Sequence, residues 1–278
     1  MRHLKNIIIV ISLIIMVVII NGFNKKSDSK NLRIDSNINT NKIVIACGTD
    51  ASGMLMSYIL KNKNANIELS NFDYTELMDC CGAQAEFAFM SGKVDMAVLC
   101  PDASAKFLGV DTNYFIVDSI VRGSNILVYF DENYDKNMTP KNIGYMNKRL
   151  LQESILKSVY PNASYYPMLS TALPYALAKK EVDAIFTDIV LALKIKNAKF
   201  KAINTDKVDY YLVASKKLKG SDTLNNFIKA YNNAVDDIQN DNILSDMIGS
   251  YLSISDSKGE TDIWKKMKVR FNKIKTEL

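Results

Sequence analysis

The sequence predicts an α/β protein built from two similar lobes, and three observations support this prediction. From residue 43 onward, strand-like apolar runs alternate with stretches in which apolar residues return at helical spacing. A helix-turn-strand unit recurs at corresponding places in the two halves of the chain. The length of 278 residues, with 48% hydrophobic content, is sufficient for two modest lobes with real cores.

The first residues of the chain are typical of a targeting segment. Arg2 and Lys5 provide a positive start, and residues 7–20 are almost entirely apolar. We interpret residues 1–24 as a signal peptide or an N-terminal membrane anchor. The protein is therefore expected outside the cytoplasm, at the outer face of the cell membrane, where it is anchored by this segment or secreted after cleavage. Residues 25–42 are rich in Lys, Ser, Asn and Asp, a composition that predicts a flexible tether.

The net charge of +5 originates at the N-terminus. Residues 1–42 hold seven Lys or Arg and two Asp or Glu, whereas the remaining chain holds 28 basic and 28 acidic residues. The predicted folded part therefore has no positive excess with which to neutralise phosphates. We expect no nucleic-acid partner.

The only histidine is His3, inside the predicted targeting segment. A Ser-His-Asp or Cys-His catalytic site is therefore impossible in the folded part, as is a zinc site with histidine ligands. General-base catalysis near neutral pH would need a carboxylate, Lys or Cys with an unusually shifted pKa. We expect a protein that is not an enzyme and that has no cofactor and no bound metal.

Residues 43–100 predict a succession of strand, helix, strand, helix and strand. The run IVIACG forms the first strand, and apolar residues at helical spacing follow over residues 52–60. Residues 66–74 indicate a second strand, residues 82–90 a second helix and residues 94–100 a third strand. This succession favours a parallel sheet, and such sheets bind ligands at the carboxyl ends of their strands.

The rest of the chain repeats this organisation. Residues 114–131 carry enough β-branched and aromatic residues for one or two longer strands, and a second succession begins at TPKNIGYM. FMSGKVDMAVLCPDASAKF (89–107) and ALAKKEVDAIFTDIVLALK (176–194) both end a helix, pass through Val-Asp into an apolar strand and reach an Asp. Two similar lobes would produce such a sequence repeat. Residues 208–218 predict another strand, and the pattern from Thr223 to the end is helical.

The apolar residues near the C-terminus form a stripe among basic residues. This pattern favours a terminal helix that covers a lobe while its charges stay in solvent. A helix on a membrane surface is the alternative. The stripe consists of Ile263, Trp264, Met267, Phe271 and Ile274.

Three stretches, taken in order, resemble a known family. They are SGKVDMAV at a helix end, TPKNIGY in the middle of the chain and MLSTALPYALAKKEVDAIFTD beyond it. They are similar to the extracytoplasmic solute-binding proteins of ABC importers, in the class that includes the nitrate, sulfonate and taurine binders. The resemblance implies the type II periplasmic-binding-protein fold, with residues 43–122 and 210–278 in the first lobe and residues 123–209 in the second.

The same resemblance implies a function. A small solute would bind in the cleft between the lobes, and closure about the hinge would present it to an ABC permease in the membrane. The protein would act as a monomer. Two other functions stay open, namely an enzyme on the same fold, of the kind that synthesises cofactors, and a thiol-based protein that binds metal or senses redox state.

All four cysteines lie in the predicted first lobe. Cys47 ends the first strand, Cys80 and Cys81 begin the second helix, and Cys100 ends the third strand. On a parallel sheet these places are neighbours at the rim of the cleft. Three interpretations stay open: small semi-buried residues or disulfides, thiols in contact with the solute, and a metal or cluster on four thiolates.

The predicted ligand-binding residues lie at strand ends and helix starts in the two lobes. Free N–H groups at the first helix would attract an anion, and thiols would favour a sulfur-containing solute. Ser52, Asp102 and Asp188 could equally be helix N-caps. The predicted set is Thr49, Asp50, Ser52, Cys80, Cys81, Cys100, Asp102, Tyr145, Ser170, Thr171, Thr187 and Asp188.

Overall fold

The computed structural model describes residues 42–61, 69–77, 88–130, 139–203 and 206–275. The predicted leader or anchor and nearly all of the predicted tether lie outside these residues, as do Cys80 and Cys81. Of the predicted second helix, residues 88–90 are described, and they are helical. Within the described ranges, no helix combines the length and the apolar character that crossing a bilayer requires.

The described strands and helices alternate along the chain. The strands are β1 (Ile43–Gly48), β2 (Phe72–Leu77), β3 (Met96–Leu99), β4 (Tyr114–Arg122), β5 (Asn125–Phe130), β6 (Asn142–Met146), β7 (Ser164–Met168), β8 (Ala184–Asp188), β9 (Ala198–Lys201), β10 (Val208–Ser215) and β11 (Arg270–Phe271). The helices are α1 (Ala51–Lys61), α2 (Pro101–Val110), α3 (Leu150–Val159), α4 (Leu173–Ala178), α5 (Ile189–Ala192), α6 (Asp222–Asp237), α7 (Asp241–Leu252) and α8 (Lys258–Lys266).

These strands form two sheets with the same plan. The first has the order β11-β4-β10-β3-β1-β2 and the second has the order β7-β6-β8-β5-β9. In the first sheet β1 is parallel to β2 and β3, and β10 is antiparallel to β3 and β4. In the second sheet β6 is parallel to β7 and β8, and β5 is antiparallel to β8 and β9. The predicted two-lobe α/β fold is confirmed, although each sheet is mixed rather than purely parallel.

The Val-Asp dipeptide of the sequence repeat has the same role in both lobes. The backbone N–H of Asp95 donates to the Val44 carbonyl at 3.0 Å, and the Asp95 carboxylate accepts from the Val44 N–H at 3.0 Å. The backbone N–H of Asp183 donates to the Asn142 carbonyl at 2.9 Å, and its carboxylate accepts from the Asn142 N–H at 2.9 Å. Each aspartate therefore fixes the start of the central parallel strand in its own sheet. The sequence repeat is therefore also a structural repeat.

Two connections join the sheets, and they lie side by side. One links β4 to β5 through Gly123, whose φ of 72° lies in the left-handed region that favours glycine. The other leads into β10, where the buried Asp209 carboxylate accepts from the Ser124 N–H at 2.7 Å and from the Asn125 side-chain amide at 2.5 Å. These hydrogen bonds connect the two crossings directly.

The C-terminal helices cover the first sheet. Phe227 of α6 stacks on Phe72 of β2 with ring centroids 5.6 Å apart, and the buried Tyr231 hydroxyl donates to the Ile120 carbonyl of β4 at 3.1 Å. Trp264 and Met267 of the predicted C-terminal stripe are each 3% exposed, which agrees with a covering role.

Two element predictions differ from the structure. The second strand begins at Phe72, which pairs with Ile43 of β1, whereas the predicted start at residue 66 lies outside the described residues. The predicted helix at the C-terminus does not continue to the end of the chain. It stops at Lys266, since Lys268 adopts a φ of 60°, and Arg270–Phe271 then pairs with β4.

The stretch CGTDASG brings β1 and α1 into close backbone contact. A Cβ atom on Gly53 would lie 1.8 Å from the Gly48 carbonyl oxygen. A Cβ on Gly48 would lie 2.3 Å from a carboxylate oxygen of Asp50. Glycine at both positions therefore allows the first turn of α1 to sit directly over the end of β1.

Gly53→Ala is expected to lower the free energy of unfolding by about 3 kcal/mol or more, because β1 and α1 must separate to admit the methyl group. Gly109→Ala is the matched control. A Cβ on Gly109 in α2 meets nothing within 4 Å, so this variant should be up to about 1 kcal/mol more stable than the wild type. Urea denaturation followed by circular dichroism measures both changes, and equal effects would contradict the close approach.

Candidate functional site

A cavity of about 270 Å³ lies between the two sheets, at the carboxyl ends of their parallel strands. Its walls come from both lobes, and hydroxyl and charged side chains predominate among its polar groups. The lining residues are Gly48, Thr49, Asp50, Glu76, Leu77, Met146, Arg149, Ser170, Thr171, Thr187, Asp188, Leu191, Lys194 and Tyr210. The cavity therefore occupies the place where sheets of this kind bind ligands.

The N-terminus of α1 forms one wall, and its first four N–H groups are already hydrogen-bonded. Ser52 and Gly53 donate to Asp50 Oδ1 at 3.0 and 3.1 Å, and the Met54 N–H donates to the Asp50 backbone carbonyl at 3.0 Å. The Ala51 N–H donates to Asp188 Oδ1 at 3.0 Å. Asp50 is thus the N-cap of α1, and a carboxylate from the other lobe takes the remaining donor.

Asp188 lies at the end of β8 and is 4% exposed. Its Oδ1 also accepts from the Val190 N–H at 2.9 Å, which makes Asp188 the N-cap of α5. Its Oδ2 accepts from the Tyr210 hydroxyl at 3.4 Å. Burial, together with the nearby Asp50 carboxylate, raises the pKa of Asp188 from its ordinary value of 3.8 to about 8.

Asp102 connects the lobes in the opposite direction, from the first lobe to a helix of the second. Its Oδ2 accepts from the Leu151 N–H at 3.1 Å, in the first turn of α3. Arg149, the N-cap residue of α3, makes no side-chain capping bond of its own. Each lobe therefore sends one aspartate to the N-terminus of a helix in the other lobe. Asp102 lies outside the lining of the cavity and next to a much smaller void of about 10 Å³.

The predicted hydroxyl residues fall into two groups. Thr49, Ser170 and Thr171 line the cavity at positions that solvent reaches, and Thr187 lines it from the interior. Thr187 is 0% exposed, and its hydroxyl oxygen has no hydrogen-bond partner among the described residues. Ser52 lies outside the lining because its hydroxyl donates to Asp50 Oδ1.

The remaining predicted site residues that are described do not line the cavity. Cys100 caps α2, since its Sγ accepts from the Ala103 N–H at 3.3 Å. Tyr145 is buried in the second lobe and donates to Glu153 at 3.0 Å. Cys47 and Cys100 are both buried, and burial raises the pKa of Cys47 well above its ordinary value. Among the described residues, no group of three or more His, Cys, Asp or Glu could hold a metal ion.

Several lining residues were absent from the sequence-based set. Glu76 and Leu77 end β2, and the prediction placed the end of that strand at residue 74. Arg149 follows β6, so the strand-end rule that selected Thr49 and Asp50 could also have selected it. Tyr210 and Lys194 carry no such signal, because their proximity to the cavity depends on how the lobes meet.

Arg149 adds a positive charge to the wall of the cavity. Its guanidinium carbon is 5.4 Å from the centre of the Tyr210 ring, and the residue is 3% exposed. The positive charge of Arg149 favours the ionised form of Asp209, whose pKa burial raises. Arg149 therefore places a positive charge near Asp209 as well as on the wall of the cavity.

No protein-family model matches the sequence, and no curated protein matches it. Solved structures do match its fold. The ligand-binding component of an ABC-type import system from Staphylococcus aureus, with zinc bound, has a TM-score of 0.65 at 14% identity, over 84% of this chain and 86% of that chain. The periplasmic aliphatic sulphonate binding protein SsuA from Escherichia coli has a TM-score of 0.62 at 9% identity, over 85% of this chain and 82% of that chain.

A putative methionine-binding lipoprotein from Bacillus subtilis has a TM-score of 0.57 at 12% identity, over 84% of this chain and 99% of that chain. At these identities the likeness concerns the fold. The chain has the periplasmic-binding-protein fold, and the resemblance stated from the sequence is confirmed at that level. The matched import components are binding proteins.

Asp188→Asn is expected to change the pH dependence of stability. Between pH values near the ordinary pKa and the raised pKa of about 8, the folded protein keeps a proton that the unfolded chain loses. The free energy of unfolding of the wild type therefore falls as the pH rises, by about 1.4 kcal/mol per pH unit from this group. Asparagine does not titrate, so the variant does not lose stability in this way. The free energy of unfolding of Asp188→Asn, relative to that of the wild type, should therefore rise from about pH 5 to about pH 8.

Glu181→Gln is the control, because it removes an exposed carboxylate just before β8 begins. Its stability should vary with pH as in the wild type. Urea denaturation at a series of pH values measures all three proteins. Parallel curves for Asp188→Asn and the wild type would show that Asp188 titrates normally in the fold.

Proposed function

We propose that the protein is the solute-binding component of an ABC-type importer and that it holds a small molecule in the cavity between its lobes. The buried Thr187 hydroxyl carries this proposal. It lines the cavity, is 0% exposed and has no hydrogen-bond partner among the described residues. A buried hydroxyl without a partner costs about 1–3 kcal/mol, and a polar solute that reaches it when the lobes move would remove this cost.

The cavity has the size and composition of a site for a small molecule. Its volume of about 270 Å³ is close to the lower end of the range of roughly 300–1,000 Å³ that is usual for such sites. Hydroxyl groups from both lobes provide donors and acceptors, and Leu77, Met146 and Leu191 provide apolar surface. These groups provide the few oriented polar contacts and the apolar surface that a small-molecule site uses.

The bonds between the lobes support capture by opening and closing. The Ala51–Asp188 and Leu151–Asp102 hydrogen bonds each join a helix N-terminus in one lobe to a carboxylate in the other. Hydrogen bonds of this kind contribute about 0.5–3 kcal/mol each, which is small enough for them to break and re-form during opening. A solute that contacts both walls would favour the closed arrangement.

The remaining parts of the proposal concern location and partners. The apolar start of the chain supports export and a position at the outer face of the membrane, where an ABC permease would receive the solute. We propose that the protein works as a monomer. An enzyme on the same fold would be expected inside the cell, so export of the full chain distinguishes the two functions.

Thr187→Val tests the site without changing the shape of the side chain. The variant should be as stable as the wild type or up to about 1 kcal/mol more stable, because a buried hydroxyl without a partner is removed. It should bind the solute at least about tenfold more weakly. Thermal-shift screening of a library of small solutes first finds a ligand that raises the melting temperature of the wild type, and calorimetry then compares the variants.

Thr261→Val is the matched control. Thr261 is also buried, but its hydroxyl donates to the Ser257 carbonyl at 2.8 Å in α8. This control should lose about 1 kcal/mol of stability and keep its affinity for the solute. A library that leaves the melting temperature of the wild type unchanged would contradict the proposed function.

A further inference from the structure

We propose that closing the lobes takes up a proton on Asp188, so that acidic conditions favour the closed arrangement and alkaline conditions favour the open one. This inference rests on the proposed function and concerns the regulation of the same site. It depends on the position of Asp188, which belongs to one lobe and is covered by the other.

Asp188 lies at the contact that has to part when the cavity opens. The residue is 4% exposed, although it lines the cavity. Its Oδ1 accepts from the Ala51 N–H of the first lobe at 3.0 Å and from the Val190 N–H of its own lobe at 2.9 Å. Opening would move Ala51 away and admit water, whereas the Val190 bond would remain. The surroundings of Asp188 therefore change with the position of the lobes.

Closing also brings a second carboxyl group towards Asp188. Asp50 directly precedes Ala51 in the first lobe and is 8% exposed. Its Oδ1 accepts from the Ser52 and Gly53 N–H groups at 3.0 and 3.1 Å, and these donors favour its ionised form. The lobes thus meet through two carboxyl groups, and like charges in a buried site repel each other. A proton on Asp188 removes this repulsion.

The closed geometry accommodates the proton. Oδ1 of Asp188 accepts both backbone N–H groups, and the carbonyl oxygen of a neutral carboxyl group can still accept them. Oδ2 lies 3.4 Å from the Tyr210 hydroxyl oxygen, and a hydroxyl group can accept a hydrogen bond as well as donate one. A proton on Oδ2 therefore leaves the bond between the lobes in place.

Burial is the main reason why the closed arrangement holds the proton. Burial, together with the Asp50 carboxylate, raises the pKa of Asp188 to about 8 and outweighs the Val190 hydrogen bond, which lowers this pKa. Opening weakens both of the raising effects, so the pKa falls towards its ordinary value of 3.8. The titratable and charged groups around Asp188 are Asp50, Glu76, Arg149, Lys194, Asp209, Tyr210 and Tyr251.

The direction of the pH dependence follows from the two pKa values of Asp188. Below the pKa of the open arrangement, Asp188 is protonated in both arrangements and closing does not depend on pH. Between that pKa and about 8, closing takes up a proton, so the ratio of closed to open molecules falls by up to about tenfold per pH unit. A solute that favours the closed arrangement should lose affinity over the same range.

Pulsed electron paramagnetic resonance on the full chain, without solute, tests the inference. Spin labels on unnatural amino acids at Asn71 and Ser164 report the separation of the lobes and leave the native cysteines unlabelled. Both positions are exposed, Asn71 precedes β2 and Ser164 begins β7, and these strands lie at the outer edges of the two sheets. From about pH 5 to about pH 8, the population with the shorter distance should decline in favour of the longer one.

Two variants make the test specific to Asp188. Asp188→Asn keeps an oxygen that can accept the same N–H groups but does not titrate. Its ratio of closed to open molecules should vary by less than about twofold with pH and should exceed the wild-type ratio by about tenfold or more near pH 8. Glu181→Gln, which removes an exposed carboxylate, should follow the wild type. Circular dichroism checks that both variants are folded, and the wild-type series does not depend on either.

The outcomes separate the two proposals. A wild-type distance distribution that does not change with pH, or one that changes equally in Asp188→Asn, would overturn the proton coupling. The solute-binding function would then stand, because no solute is present in this experiment. That function fails on its own if the solute library leaves the melting temperature of the wild type unchanged.

Discussion

The arrangement of the lobes depends on two aspartates that each cap a helix in the opposite lobe. Asp188 ends β8 and accepts from the first N–H of α1, and Asp102 follows β3 and accepts from the first turn of α3. Helix N-termini carry partial positive charge and free N–H donors, so a carboxylate is the side chain that they bind best. The cavity lies beside the Asp188 contact, and its shape and charge depend on that bond.

This arrangement follows from the duplication visible in the two sheets. β1 with α1 corresponds to β6 with α3, and β3 corresponds to β8. Each Val-Asp dipeptide aligns a strand with the central strand of its own sheet, and each later aspartate reaches across to the other lobe. One structural unit, used twice, therefore provides both the internal order of a lobe and its contact with the other. The two aspartates that reach across nevertheless differ, because of the two only Asp188 also lines the cavity and lies near a second carboxylate.

The sequence predicted the fold well because its signals are local. Val and Ile runs, helical spacing and the repeated Val-Asp dipeptide all report on neighbouring residues, and the two-lobe α/β fold followed from them. The rule that ligands bind at strand ends also located Thr49, Asp50, Thr187 and Asp188 at the cavity. It could not show that both Asp102 and Asp188 accept hydrogen bonds from a helix in the other lobe, or that of these two only Asp188 also lines the cavity. Asp102 and Asp188 look alike in the sequence and differ only in what the other lobe places beside them.

The hydrogen bonds between the lobes differ in how readily they can break. Asp209 joins the two crossings through hydrogen bonds to Ser124 and Asn125, and the Gln152 side chain donates to Asn125 at 2.7 Å. Asp209 and Asn125 are buried and belong to strands that continue into the two sheets, so separating them would disrupt both sheets. The Ala51–Asp188 bond, in contrast, joins a helix end to a side chain and can break without unfolding either element. Opening should therefore pivot on the crossings and part the walls at Asp188.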